Sequence, residues 1–154
     1  PDLKIIKSIG LYLDYVDTGL DHVSKDRFHE FWRPWVSQLE AVDAWMVIDG
    51  VGTRLSNLEH TDKAQTWAKN LSHEYGKEFW VDVECAQMGA SGNRPFTIEE
   101  LEKSLAVAAR HGSTLVTFDY AHYMSKQSPK PSARQLYQDY LEYRQKVLHE
   151  AKTE

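Results

Sequence analysis

Four runs of apolar, β-branched or aromatic residues end in a carboxylate: Ile9–Asp14, Ala44–Asp49, Phe79–Glu84 and Thr114–Asp119. A loop follows each run, and then apolar positions at the i, i+3, i+4 spacing of a helix with one buried stripe. The pattern predicts four βα units. The first strand is placed at about residues 9–17, with residues 1–8 open between a helix end and a short strand. A helix over Asp26–Gln38 follows, capped by Ser24, and Pro34 is expected to kink or break it. The second strand covers 44–49. The second helix starts near Thr61, with Ala64, Trp67, Ala68, Leu71 and Tyr75 on its apolar face and Gly76 as its stop. The third strand covers 78–85. Thr97-Ile-Glu-Glu100 has the form of a capping box and opens a helix that buries Leu101, Leu105 and Ala108 and runs to Gly112. The fourth strand covers 114–120. Ser132 opens the last helix, whose apolar face carries Leu136, Tyr140, Tyr143 and Val147.

Regular alternation of strand and helix predicts an α/β fold with a parallel sheet and right-handed crossovers. Side chains alternate across a strand. If the apolar set of each strand faces the helices, then Asp14, Asp49, Asp82, Glu84 and Asp119 share the opposite face. An open doubly wound sheet is covered by helices on both faces and favours near-continuous apolar strands. A barrel can turn polar groups inward near its mouth. The expected fold is therefore four consecutive βα units, a single domain over residues 1–154 forming half of a (β/α)8 TIM barrel, with an open four- or five-stranded α/β sheet as the alternative. An unpaired half-barrel leaves an apolar interior and two sheet edges in water. It is expected to belong to a longer barrel or to be completed by homodimerisation.

Composition narrows the partners. A chain of 154 residues is long enough for one real core. A net charge of -5 leaves no basic stripe for displacing phosphate counterions, so nucleic acid is not expected. No apolar run approaches a membrane span, so a soluble chain with no membrane partner is expected. The chain opens on Pro1 rather than Met, which leaves localisation open. The single cysteine, Cys85, precludes an internal disulfide and a Cys-based metal site, and is expected to be a buried structural thiol. Five Trp and eight Tyr serve either core packing or stacking on flat ligands such as sugars.

Ligands in α/β folds gather at the carboxyl ends of the strands. Glu84 is the first candidate for catalysis, with Asp49 and Asp119 as its partners. Glycoside hydrolysis needs two carboxyl groups, one kept protonated and one ionised. Asp14, Trp80, Asp82, His122 and Tyr123 are candidates for substrate binding. The plainer alternative is that each acid only ties down loop amides or pairs with Arg54, Arg94 or Arg134. Clustered acids repel one another, however, unless something compensates. His122 is also a candidate general base or a member of an oxygen-rich divalent site. No His-x-His pattern supports a metal, and no cofactor is called for. Gly50-Val-Gly-Thr53 follows a strand, but its helix starts some residues later and Asp49 precedes it, which disfavours a phosphate cradle. The loops at 86–96 and 121–131 are long, and long βα loops are more often functional than decorative.

Val47-Ile-Asp-Gly-Val-Gly-Thr53, Trp80-Val-Asp-Val-Glu84 and Thr117-Phe-Asp-Tyr-Ala-His-Tyr-Met-Ser125 stand in the order and spacing of strand ends in a bacterial TIM-barrel family of unknown function, grouped by fold with glycoside hydrolases. Over most of its length the chain resembles the C-terminal half of such a barrel. The resemblance implies TIM-barrel architecture and a sugar-directed pocket, and it carries no settled catalytic residues onto this chain. Three functions are compatible with these readings. One is a glycoside-hydrolase-like domain acting on carbohydrate. The second is a non-catalytic half-barrel that binds a sugar or small polar ligand. The third is a fold relic with no present activity.

Overall fold

The computed structural model describes residues 5–10, 24–38, 40–53, 56–89 and 92–150. In chain order the elements are β1 (Ile6–Gly10), α1 (Lys25–Gln38), β2 (Ala44–Ile48), α2 (Leu58–Glu74), β3 (Glu78–Glu84), β4 (Ala86–Gln87), β5 (Arg94–Pro95), α3 (Ile98–Ala108), β6 (Thr114–Phe118), α4 (Tyr120–Tyr123) and α5 (Pro131–Glu150). Four strands form one sheet in the order β1-β2-β3-β6, and every pairing is parallel. Each of the four strands lies beside the one that precedes it in the chain, leaving aside the short β4–β5 hairpin. With right-handed crossovers this places the connecting helices on one face, whereas a doubly wound sheet reverses direction and covers both. The architecture is partial TIM-barrel-like. Helix α1 packs on α2, α2 on α3, and α3 on α5.

Local chemistry sets the element ends. Thr97 accepts from the Glu100 N–H while the Glu100 carboxylate accepts from the Thr97 N–H, which completes the capping box at α3. The α2 helix begins three residues before Thr61, because Asn57 is its cap and accepts from the His60 N–H at 2.9 Å. Thr61 is instead buried, and its hydroxyl donates to the Asp49 carbonyl at 2.9 Å. Helix α1 runs through Pro34 rather than breaking there. Pro34 and Glu30 are both exposed, so the carbonyl that loses its N–H partner can be met by water. Helix α3 stops at Ala108, and a turn carries the chain to Gly112, where an added Cβ would sit 3.0 Å from Val81 Cγ2. The first strand lies at Ile6–Gly10, upstream of the predicted 9–17. Asp43 holds it there: the Ile5 N–H donates to Asp43 Oδ2 at 2.7 Å, and Ile5 O accepts from the Asp43 N–H at 2.9 Å. Asp14 lies outside the described residues.

The register corrects the face assignment of two strands. Val47 pairs with Val81 and Ile48 with Asp82, while Asp82 pairs with Val116 and Glu84 with Phe118. Paired residues of parallel strands share a face. The helix-facing set is therefore Trp45, Val47, Phe79, Val81, Val83 and Leu115, packed with Phe28, Val36, Ala68, Leu71, Leu101, Leu105 and Ala108. Met46, Ile48, Trp80, Asp82, Glu84, Val116 and Phe118 share the other face. Asp49 and Asp119 continue the helix-facing parity and do not project with Asp82 and Glu84, as had been expected. Strand β2 is apolar on both parities and β6 carries one Thr on each, so alternation alone left their orientation ambiguous. Val116 and Phe118 remain 36% and 44% exposed.

Truncation on the two faces of the sheet should separate core from open surface. In urea unfolding, Leu101→Ala, on the helix side, should lose about 2–5 kcal/mol. Val116→Thr, on the other face, should stay within about 0.5 kcal/mol of wild type. Equal losses would contradict this assignment of faces.

Candidate functional site

Strand β3 delivers two acids, Asp82 and Glu84, to the sheet face opposite the helices. Glu84 is its last residue and is 1% exposed. The loop after β2 folds directly over it. Gly50 turns the chain with φ of 69°. Gly52 then passes so close to the next strand end that a Cβ there would lie 2.0 Å from the Ala86 carbonyl oxygen. The reward for this close approach is that the Thr53 N–H donates to Glu84 Oε2 at 3.0 Å, and the Gly52 amide also favours the charged carboxylate. The loop is fixed in turn by Ser56 N–H to Gly50 O at 2.9 Å and Met88 N–H to Gly52 O at 2.8 Å. Gly50-Val-Gly-Thr53 is thus a wrap around a neighbouring glutamate.

Asp49 enters the same cluster from its own strand end. It is 1% exposed, and its Oδ1 accepts N–H bonds from Val51 and Glu84, each at 3.3 Å. Its Oδ2 is buried without a hydrogen-bond partner. Burial, then the charge of Glu84, pushes the Asp49 carboxyl up to about 8. Burial also raises Glu84, opposed by the Thr53 and Gly52 amides and by Asp49 itself. Burial thus favours the protonated form of Asp49, while the loop amides favour the charged form of Glu84. Asp82, two residues before Glu84, is flanked in register by Ile48 and Val116. Burial, then Glu84, pushes it up to about 6, and its Oδ1 has no hydrogen-bond partner.

The other candidates are set apart from this trio. Asp119 receives a short hydrogen bond from His122 Nδ1, one turn later on α4, and His122 is largely exposed. Tyr123 is buried; its hydroxyl accepts from Asn93 Nδ2 at 3.0 Å, and Lys130 Nζ lies 4.4 Å from its ring centroid. That ring is engaged by the protein. Trp80 lies on the same face, one side-chain step from Asp82 toward the amino end, and its Nε1–H donates to Glu78 at 3.0 Å. Arg94 pairs with Glu100, and Arg134 donates to Ser128 O, so neither neutralises the acids. Arg54 lies outside the described residues. Cys85 is fully buried, and burial pushes its thiol up to about 12, which suits a structural thiol. Among the described residues no three His, Cys, Asp or Glu side chains converge to hold a metal ion. No helix among them is long and apolar enough to cross a membrane.

A family model described as a domain of unknown function, DUF4434, matches residues 4–133. The chain belongs to the DUF4434 family. Among solved structures, it is similar to the crystal structure of a protein from Bacteroides thetaiotaomicron VPI-5482 proposed to be an alpha-L-fucosidase. The two share 26% sequence identity and superpose with a TM-score of 0.77 over 92% of this chain and 45% of that chain. This DUF4434 chain thus spans less than half the length of that neighbour. A comparison with curated proteins found no match.

The wrap predicts its own failure. Gly52→Ala drives a methyl into backbone and should cost about 1–3 kcal/mol in denaturant unfolding; an unchanged midpoint would contradict the close approach. Asp49 predicts a pH dependence. From about 4, where the unfolded carboxyl ionises, to about 8, the folded DUF4434 domain keeps a proton that the unfolded chain has released. This contribution to stability is complete below the lower value and is lost as pH rises through the upper one. The melting temperature should therefore fall between about pH 5 and about pH 8.5, and Asp49→Asn should flatten that slope. Equal slopes in the two proteins would remove Asp49 as the cause.

Proposed function

We propose that this DUF4434 chain is half of a (β/α)8 barrel whose interior carboxylates act on carbohydrate as a glycoside hydrolase does. The observation that carries the reading is the pair Asp82 and Glu84. They share one face of the sheet at its carboxyl edge, both are buried, and the described groups acting on them are other carboxylates, loop amides and the Thr53 hydroxyl. Their environments differ in the way two-carboxylate catalysis requires. Glu84 accepts amide N–H bonds that favour its anion, which suits a nucleophile or base. Asp82 sits between apolar neighbours, and a value of about 6 suits a group that gives up a proton near neutrality. Asp49 positions Glu84 and holds a proton beside it. Asp119 with His122 offers a further polar contact at the rim. The fucosidase-like neighbour supports a sugar substrate and makes α-L-fucosides the first to try.

A second reading, sugar binding without turnover, is favoured by one observation. Asp49 and Glu84 are both 1% exposed, and loop amides occupy oxygens of each. A panel of aryl glycosides that includes aryl α-L-fucoside, together with a glycan-binding screen, separates the two. For hydrolysis, Glu84→Gln and Asp82→Asn should each lower turnover by about 10²–10⁴-fold with folding retained. Glycan binding of equal strength in wild type and Glu84→Gln, with no turnover in either, would instead establish the binding module.

A further inference from the structure

We propose that the cleft between the start of α2 and the first two turns of α3 is a binding site for one neutral, hydroxyl-rich ring of monosaccharide size. It lies on the helix side of the sheet, whereas Asp82 and Glu84 project from the other face, so it does not rest on the hydrolase reading. The space measures about 140 Å³ and is open to solvent. One water needs only about 10–15 Å³, and about 150 Å³ takes up a six-membered carbon ring. Ser104 lines this cleft and is the group that points to a ligand. It is 3% exposed, and its Oγ has no hydrogen-bond partner among the described residues. A hydroxyl inside a helix has a ready acceptor in the carbonyl one turn before it. Two others in this chain use it: Thr66 donates to Asp62 O and Ser72 to Ala68 O, each at 2.8 Å. Ser104 does not. Among the described residues it is the only buried hydroxyl left so. An unmade bond of this kind destabilises the fold unless an occupant of the cleft completes it.

The walls select the ligand. Glu100, Lys103 and Ser104 stand at i, i+3 and i+4 on α3 and form one polar wall, to which Gln87 adds an amide. Val51, Leu58 and Phe96 supply carbon. Lys103 only donates, Glu100 only accepts, and Gln87 and Ser104 do both. Sugar hydroxyls also do both. Charge excludes the ionic alternatives. Glu100 is held by Arg94 through two bonds of 2.7 Å, and Lys103 acts on Glu99 and Glu100 together. Two cations therefore stand against two carboxylates, and neither sign of ligand is favoured. A pyranose offers C–H groups to Phe96 and Leu58 and hydroxyls to α3. The walls are also preformed. The Thr97 N–H and Arg94 fix the Glu100 carboxylate, and the Met88 N–H holds Gly52 O at 2.8 Å in the loop that carries Val51. A site already in place loses less on binding than one that must be ordered.

The test follows the backbone amides of the whole isotope-labelled chain by NMR. L-fucose, D-glucose and myo-inositol serve as neutral probes, and acetate and benzoate as anionic ones. At least one neutral probe should give saturable shifts centred on Val51, Leu58, Gln87, Phe96 and Ser104, with a dissociation constant on the order of 1 mM or below. Ser104→Ala should weaken that binding at least about 10-fold. In the empty protein the same substitution removes a buried hydroxyl that has no partner, so the urea midpoint should hold or rise. A serine that merely supports the fold would do the reverse. Leu58→Trp narrows the mouth and should abolish binding. Asp82→Asn, on the other face of the sheet, should leave it unchanged. Absence of saturable shifts with every neutral probe would overturn the proposal, as would shifts centred on Asp82 and Glu84. Tighter binding of acetate or benzoate would overturn the class of ligand. A Ser104→Ala protein that is less stable when empty, or that binds as well as wild type, would also overturn it. Turnover is not read, so a negative result here leaves the hydrolase reading untouched.

Discussion

Four parallel strands laid side by side in chain order allow only one face of their sheet to be covered by the helices that connect them. The rest of the molecule follows from that constraint. On the covered side, Trp45, Val47, Phe79, Val81 and Val83 pack to near-complete burial against three helices, and this is the core. On the other side, alternation along the same strands must put something. In β2 and β6 it puts more apolar residues, and in β3 it puts Trp80 and two acids. A free-standing sheet with one polar face would carry its polar residues there. This one carries Met46, Ile48, Val116 and Phe118 there, with Val116 and Phe118 exposed.

The acids are intelligible only against that background. A carboxylate at a strand end on a wet face would titrate normally and bind little. Here apolar neighbours and a tight loop remove water, and burial raises Asp49, Asp82 and Glu84 together. The loop returns part of the cost at one position only. The Thr53 and Gly52 amides serve Glu84, while Asp82 keeps an oxygen with no partner. The result is an uneven set of neighbouring carboxyls, and such unevenness lets one site both hold and release protons. The glycines of the loop belong to the same device, since any larger residue at position 52 would push the amides off Glu84.

Much of this was legible in the residues. The Gly76 stop of α2 and the Thr97 capping box, the buried Cys85 and the parity of β3 all follow from local chemistry, and the structure repeats them. Asn57 was readable too: an Asn before a helical stripe is a cap signal, although the helix was expected to start near Thr61. The Gly-x-Gly after β2 signalled close approach, but it could not say to what. The convergence of Asp49 and Asp119 with Glu84 on one face was misread for a definite reason. In β3, polar and apolar residues alternate and point the strand. In β2 both parities are apolar and in β6 each carries one Thr, so nothing local chooses between them.

The sequence by itself determined the number of units, their order, the parallel sheet they imply and the acidic character of the strand ends, because each of these depends on periods of two or 3.6 residues read within one element. Only the tertiary structure decided which parity of β2 and β6 meets the helices, which carboxylate receives the loop amides, and that Val116 and Phe118 on the other face stay exposed. These depend on the register between strands far apart in the chain. Register is set by the packing of whole faces against one another, and no window of sequence contains it.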